Sequence, residues 1–172
     1  MICIPIRKKT MPSLLKHISE ANELADVIEI WFDEIPNLTD EKIEKILKAT
    51  KRPILYKHTG NKETLQKLLP KKLAYIDLDL KESPKLIKEV KQSSPESNLI
   101  ISFHDFEKTP TITELKKMVT KMQKLGADMV KIAATANSLS DSMRMLSFLS
   151  QLKEKGQKAI CLCMGKEGKI TR

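Results

Sequence analysis

Apolar residues follow two alternating patterns along the chain. Short runs at Ile2–Ile6, Val27–Phe32, Pro53–Lys57, Ala74–Leu80, Leu99–Phe103, Met129–Ile132 and Ala159–Cys163 are too brief for helices and rich in β-branched residues, so they predict strands. Between them apolar positions recur at helical spacing, as in Leu14, Leu15, Ile18 and Leu24. This spacing predicts helices over Pro12–Leu24, Asn37–Thr50, Lys62–Leu69, Ser83–Lys91, Ile112–Leu125 and Leu139–Lys155. Thr39 or Asp40 caps the second helix, Ser-Pro opens the fourth, and Gly126 offers a left-handed stop after the fifth. Seven strands alternating with six helices, without a hairpin signal, imply parallel strands joined by right-handed crossovers. An open doubly wound sheet that binds nucleotide needs a Gly-rich loop after its first strand. The chain has five glycines and none lies there, so the α/β barrel is preferred.

Side chains alternate along a strand, and this separates two faces. Ile28, Ile30, Phe32, Ile76, Leu78, Leu99, Ile101 and Phe103 form an apolar set suited to packing on helices. The opposite set carries Glu29, Trp31 and Asp33 on strand two, Asp77 and Asp79 on strand four, Ser102 and His104 on strand five, and Lys131 on strand six. In a barrel of this kind the second set faces inward, and chemistry collects at the C-terminal ends of the strands. Buried charges are costly unless compensated, so so many inward charges predict an ion network or a site.

Composition narrows the choice. At 172 residues and 41% hydrophobic, the chain suits one domain with a sizeable core. Its net charge of +9 comes from lysines interleaved with glutamates, as in Glu41-Lys42-Ile43-Glu44-Lys45, which is the pattern of solvated helix faces. Aromatics at 4% leave few stacking platforms, so nucleic acid is not an expected partner. No stretch is long and apolar enough to span a membrane, and the N-terminus lacks the order of a signal peptide. Cys3, Cys161 and Cys163 sit in strand-like settings and read as reduced core thiols, which with the missing signal predicts a cytoplasmic protein. Their spacing is a poor zinc signature, so no metal is expected.

Lys131 is the centre of the chemistry, within Gly126-Ala127-Asp128-Met129-Val130-Lys131-Ile132-Ala133. An amine on the inward face is either a cation snorkelling to solvent or, kept from water, a nucleophile toward carbonyls. That segment and Ser102-Phe103-His104-Asp105-Phe106-Glu107-Lys108-Thr109-Pro110 closely resemble the two signature strands of the type I 3-dehydroquinate dehydratases. Glu29-Ile30-Trp31-Phe32-Asp33, Pro53–Tyr56 with Lys62-Glu63, and Met164–Arg172 resemble further segments of that family in order, so the likeness covers the whole chain.

The resemblance implies a (β/α)8 TIM barrel of the class I aldolase type that converts 3-dehydroquinate to 3-dehydroshikimate in the shikimate pathway of aromatic amino-acid biosynthesis. No cofactor is implied, and the usual assembly is a homodimer. It implies that Lys131 forms the Schiff base, that His104 is the general acid and base, and that Glu63 orients His104. Glu29, Met164 and Arg172 would bind substrate. Trp31 and Thr59 stand where the family has arginines, and Lys57, on the face of Thr59, is expected to supply a replacement charge. The family's eighth β/α unit has no counterpart in residues 1–172, so the expectation is a barrel truncated after its seventh strand, with edges that invite self-association. A class I aldolase-like enzyme and an inactive barrel serving as a binding or assembly subunit are the alternatives.

Overall fold

The computed structural model describes residues Met1–Arg172. Seven strands, β1 (Cys3–Ile6), β2 (Val27–Ile30), β3 (Ile54–Lys57), β4 (Tyr75–Asp79), β5 (Asn98–Asp105), β6 (Met129–Thr135) and β7 (Ala159–Met164), alternate with six helices. The helices are α1 (Met11–Leu24), α2 (Asp40–Ala49), α3 (Lys62–Leu68), α4 (Pro84–Ser93), α5 (Ile112–Lys124) and α6 (Leu139–Glu154). The strands form one sheet in chain order, and the pairings β1–β2, β2–β3, β3–β4, β5–β6 and β6–β7 are all parallel. Sequential parallel strands with a helix between each and the next are the plan of the (β/α)8 barrel class, as the sequence pattern predicted.

Local signals explain the boundaries. Thr39 is the cap of α2, its side chain accepting from the Lys42 N–H. Thr111 with Glu114, and Ser138 with Asp141, form capping boxes on α5 and α6. Gly126 lies at φ +88° just past α5, the left-handed stop expected of it. Strand β2 is shorter than its apolar run, because Trp31 (φ −94°, ψ 70°) leaves extended geometry and Phe32–Glu34 form a 3-10 turn.

Two compact units divide the chain, Met1–Leu78 with Glu89–Asn98, and Asp79–Lys88 with Leu99–Arg172. In the first, Leu14 and Ile18 of α1, Ile43 and Ile46 of α2, and Ile28, Ile30, Tyr56 and Ile76 of the strands are buried. In the second, Leu115, Val119 and Met122 of α5 and Met145, Phe148 and Leu152 of α6 are buried, as are Val130, Ile132, Ala134, Cys161 and Cys163. These strand residues share one face, since Ile132 is in register with Cys161 and Ala134 with Cys163. The other face is thereby left to the polar set.

Candidate active site

In the second unit, strand register builds a surface around Lys131. Ser102 is opposite Lys131, and His104 is opposite Ala133, one pleat further along. Register partners in a sheet project to the same side, so Ser102, His104, Lys131 and Ala133 share a face. On β7, Ile160 is opposite Lys131, Leu162 opposite Ala133, and Met164 opposite Thr135. The lysine therefore stands between a hydroxyl and apolar side chains, with the imidazole and Met164 toward the C-terminal ends. β5 reaches Asp105, so His104 is held by strand geometry and not by a loop.

Asp79, the last residue of β4, addresses the imidazole: its Oδ2 lies 3.7 Å from His104 Nδ1. That is ion-pair range, longer than a hydrogen bond. The other oxygen, Oδ1, accepts from the Lys81 backbone N–H at 2.9 Å, which fixes the carboxylate at the strand tip. Phe106 stacks on the imidazole with ring centroids 6.2 Å apart and planes 14° from parallel. The sequence had put Asp79 on the inward face without a role. Its nearness to His104 depends on where β4 ends, which no spacing in the sequence reveals.

Arg172 follows a 3-10 turn, Glu167–Thr171, that folds back on β7. Thr171 Oγ1 accepts from the Cys163 N–H at 2.7 Å and donates to the Gly168 carbonyl at 2.8 Å, while Arg172 Nε donates to the Cys163 carbonyl at 3.2 Å. Cys161, beneath this face, is a buried thiol whose pKa is pushed up to about 12 by desolvation and by neighbouring Cys163. It is therefore a core thiol and no nucleophile.

In the first unit, Glu29 is in register with Leu55, and Lys57 with Asp77, so Glu29, Lys57 and Asp77 share a face. Glu29 Oε1 accepts from the Trp31 indole N–H at 2.8 Å. Lys57 Nζ donates to Asp77 Oδ1 at 2.8 Å, and both side chains are buried, 7% and 0% exposed. The cation proposed from sequence is thus present on that face with Asp77 as a partner.

Asp33 is placed otherwise than its alternate spacing suggested. Because the chain leaves the strand at Trp31, its carboxylate meets Tyr56, whose register partners Ile30 and Ile76 are on the face opposite Lys57. The Tyr56 hydroxyl donates to Asp33 Oδ1 at 2.5 Å, and His58 Nδ1 is 3.2 Å from Oδ2. Oδ2 also accepts from the Thr59 N–H, the Thr59 hydroxyl and the Asn61 N–H. Burial pushes the Asp33 carboxyl up, but hydrogen bonds from His58, Tyr56 and the two backbone N–H groups outweigh it and leave the pKa below its ordinary value. Thr59 is therefore a ligand of Asp33 that ties the β3–α3 loop to the turn after β2. Glu63, in the first turn of α3, is 76% exposed and accepts from Lys67 Nζ at 2.7 Å, a hydrogen bond that holds its carboxyl below the usual range. No group of three or more His, Cys, Asp or Glu side chains is arranged to hold a metal ion, and no helix is long and apolar enough to cross a membrane.

A chain-order parallel α/β sheet carrying a strand lysine, with a histidine on the same face of the preceding, neighbouring strand, defines a protein of the (β/α)8 barrel class with a candidate covalent site. The family model for type I 3-dehydroquinase matches residues 2–172, and the chain belongs to that family. It is 35% identical over 184 residues to the 3-dehydroquinate dehydratase of Methanococcus vannielii and 32% identical over 184 residues to that of Methanococcus maripaludis. Each alignment covers 100% of this chain and 83% of the relative. Among solved structures, the type I 3-dehydroquinate dehydratase of Clostridium difficile, crystallised with covalent modified comenic acid, superposes with a TM-score of 0.88. That match has 25% identity and covers 99% of this chain and 78% of the other.

Proposed function

We propose that this chain is a hydro-lyase that removes water from 3-dehydroquinate to give 3-dehydroshikimate through a Schiff base on Lys131. The observation that carries the reading is the register of β5 on β6, with Ser102 opposite Lys131 and His104 one pleat on along the same face. Family membership and similarity along the full chain favour this reaction over the aldolase-like and non-catalytic alternatives.

The Lys131 amine adds to the substrate ketone and expels water, leaving a protonated imine. The imine withdraws electrons from the neighbouring C–H bond, and His104 takes that proton to give an enamine. As the enamine electrons return, the β-hydroxyl leaves as water with a proton delivered by His104. A second water hydrolyses the imine, releasing product and restoring the amine, so the net change is loss of one water. Asp79, 3.7 Å from His104 Nδ1, orients the ring with its other nitrogen toward substrate, a contact that can tighten when substrate is bound. This is the orienting task assigned from sequence to Glu63, whose nearest charge is Lys67. Glu29 and Lys57 bind substrate hydroxyls, Met164 packs against the carbocycle, and Arg172 receives the carboxylate as a planar fork.

Borohydride reduction with 3-dehydroquinate tests the reading. The expected product is a covalent adduct that peptide mapping locates at Lys131 and that disappears in Lys131→Met. A folded parent chain that yields no adduct, or one mapped to another lysine, overturns it.

A further inference from the structure

Trp31 is held at both its edge and its face. Its indole N–H donates to Glu29 Oε1 at 2.8 Å, and the Arg7 guanidinium carbon lies 4.7 Å from its ring centroid. Arg7 follows the C-terminal end of β1, and its own direction is set by a fork to Glu34: Nε donates to Oε2 at 2.7 Å, and Nη2 lies 2.7 Å from Oε1. Backbone geometry sustains the arrangement, since the Trp31 N–H donates to the Ile6 carbonyl at 3.4 Å, keeping the two strand tips together. Glu34, Arg7, Trp31 and Glu29 are thus linked by contacts that reach a buried carboxylate.

We infer that Trp31 is a positioning residue for Glu29, and that Arg7 locks the indole in the rotamer that does so. The inference deepens the proposed function and rests on its assignment of Glu29 to substrate binding. A carboxylate on a flexible side chain binds a hydroxyl well only if its oxygens are already aimed, because ordering it on binding costs affinity. The indole N–H is a donor with no acceptor capacity, so it holds Oε1 and thereby fixes the direction in which the carboxylate is presented to a ligand hydroxyl. Arg7 adds a cation on the ring face, an attraction that phenylalanine at position 31 would retain and that lysine at position 7 would partly reproduce. The ligand class that fits is a polyhydroxylated ring presenting an O–H donor to Glu29.

Steady-state kinetics with 3-dehydroquinate on Trp31→Phe, Glu29→Gln, their double variant, Arg7→Met and Arg7→Lys test this, with thermal melts to verify folding. Trp31→Phe removes the N–H and part of the ring while keeping an aromatic face for Arg7, and is expected to raise KM about tenfold with kcat changed less than about twofold. Glu29→Gln is expected to raise KM further, and the double variant to be no worse than Glu29→Gln alone, because Trp31 acts through Glu29. Arg7→Met is expected to raise KM about threefold and Arg7→Lys to recover part of that. Trp31 is also the one tryptophan in the chain, so its emission reports on the site directly. Titrating Lys131→Met with 3-dehydroquinate should change that emission saturably. A raised KM in Glu29→Gln with parental kinetics in Trp31→Phe, or additive effects in the double variant, overturns the positioning role alone. An unchanged KM in Glu29→Gln removes the substrate role of Glu29, and the inference with it. Emission indifferent to saturating 3-dehydroquinate overturns it independently of any Trp31 variant.

Discussion

Asp33 shows how one carboxylate can fix a loop. Its side chain is only 2% exposed, and taking it from water is offset only because Tyr56, His58, Thr59 and Asn61 all turn donors toward it. Those bonds form only in the folded chain, so the folded pKa lies below the unfolded value of about 3.9. The stabilisation is therefore fully present above that unfolded value and is lost as pH falls through the folded one. Asp33→Asn, which keeps the shape and loses the charge, is expected to cost about 1–3 kcal/mol in urea unfolding at pH 7. The gap between variant and parent should shrink as pH is lowered below about 4. A gap that stays constant down to acid pH would show that the carboxylate is not ionised in the folded chain. Spacing in the sequence had put Asp33 beside Glu29. That reading failed for a local reason: the period of two holds only while the backbone is extended, and Trp31 ends that condition.

Elements fared better where their signals are strong. The β5 and β6 faces were legible because His104 and Lys131 are polar residues in runs otherwise apolar on the helix side, and alternation fixes their side once the strand is recognised. The 3-10 turns at Phe32–Glu34, Leu69–Lys71 and Glu167–Thr171 were not legible, because one turn is too short to show a period. The last of them carries Arg172, the residue proposed to receive the substrate carboxylate. It packs so closely on β7 that a Cβ at Gly168 would overlap the Cys163 carbonyl, and the Ser142 hydroxyl of α6 pins it further by donating to the Glu167 carbonyl at 2.7 Å. Gly168 has an ordinary φ, so its requirement is space and not backbone freedom. Gly168→Ala must push the turn off β7 and carry Arg172 with it. The expected result is a loss of about 1–3 kcal/mol in stability together with a raised KM for 3-dehydroquinate. Borohydride trapping on Lys131 at saturating substrate should persist, because β6 is untouched. Parental stability and KM would show that the turn can move without consequence for Arg172.

Over the whole molecule, lysines and arginines number 31 against 22 acidic residues. Some are paired locally, as in the helical pairs Lys16–Glu20, Lys45–Glu41 and Lys67–Glu63. An excess of +9 nevertheless remains, and the proposed substrate is a carboxylate. Its field extends about 30 Å at 0.01 M ionic strength but only about 8 Å at 0.15 M, so attraction of an anion from a distance is a low-salt effect. In the proposed mechanism, bond making at Lys131 and His104 takes place after binding, within a few ångströms, where screening has little influence. The expected outcome is a fall of about two- to fivefold in kcat/KM for 3-dehydroquinate between those ionic strengths, with kcat unchanged. Anions could instead compete for Arg172, and the two causes separate cleanly: screening depends on ionic strength alone, whereas competition follows the identity of the anion. Equal loss in chloride and sulfate at matched ionic strength assigns the effect to net charge. A flat profile in both would mean that the basic excess serves solubility and leaves substrate capture to the groups within the site.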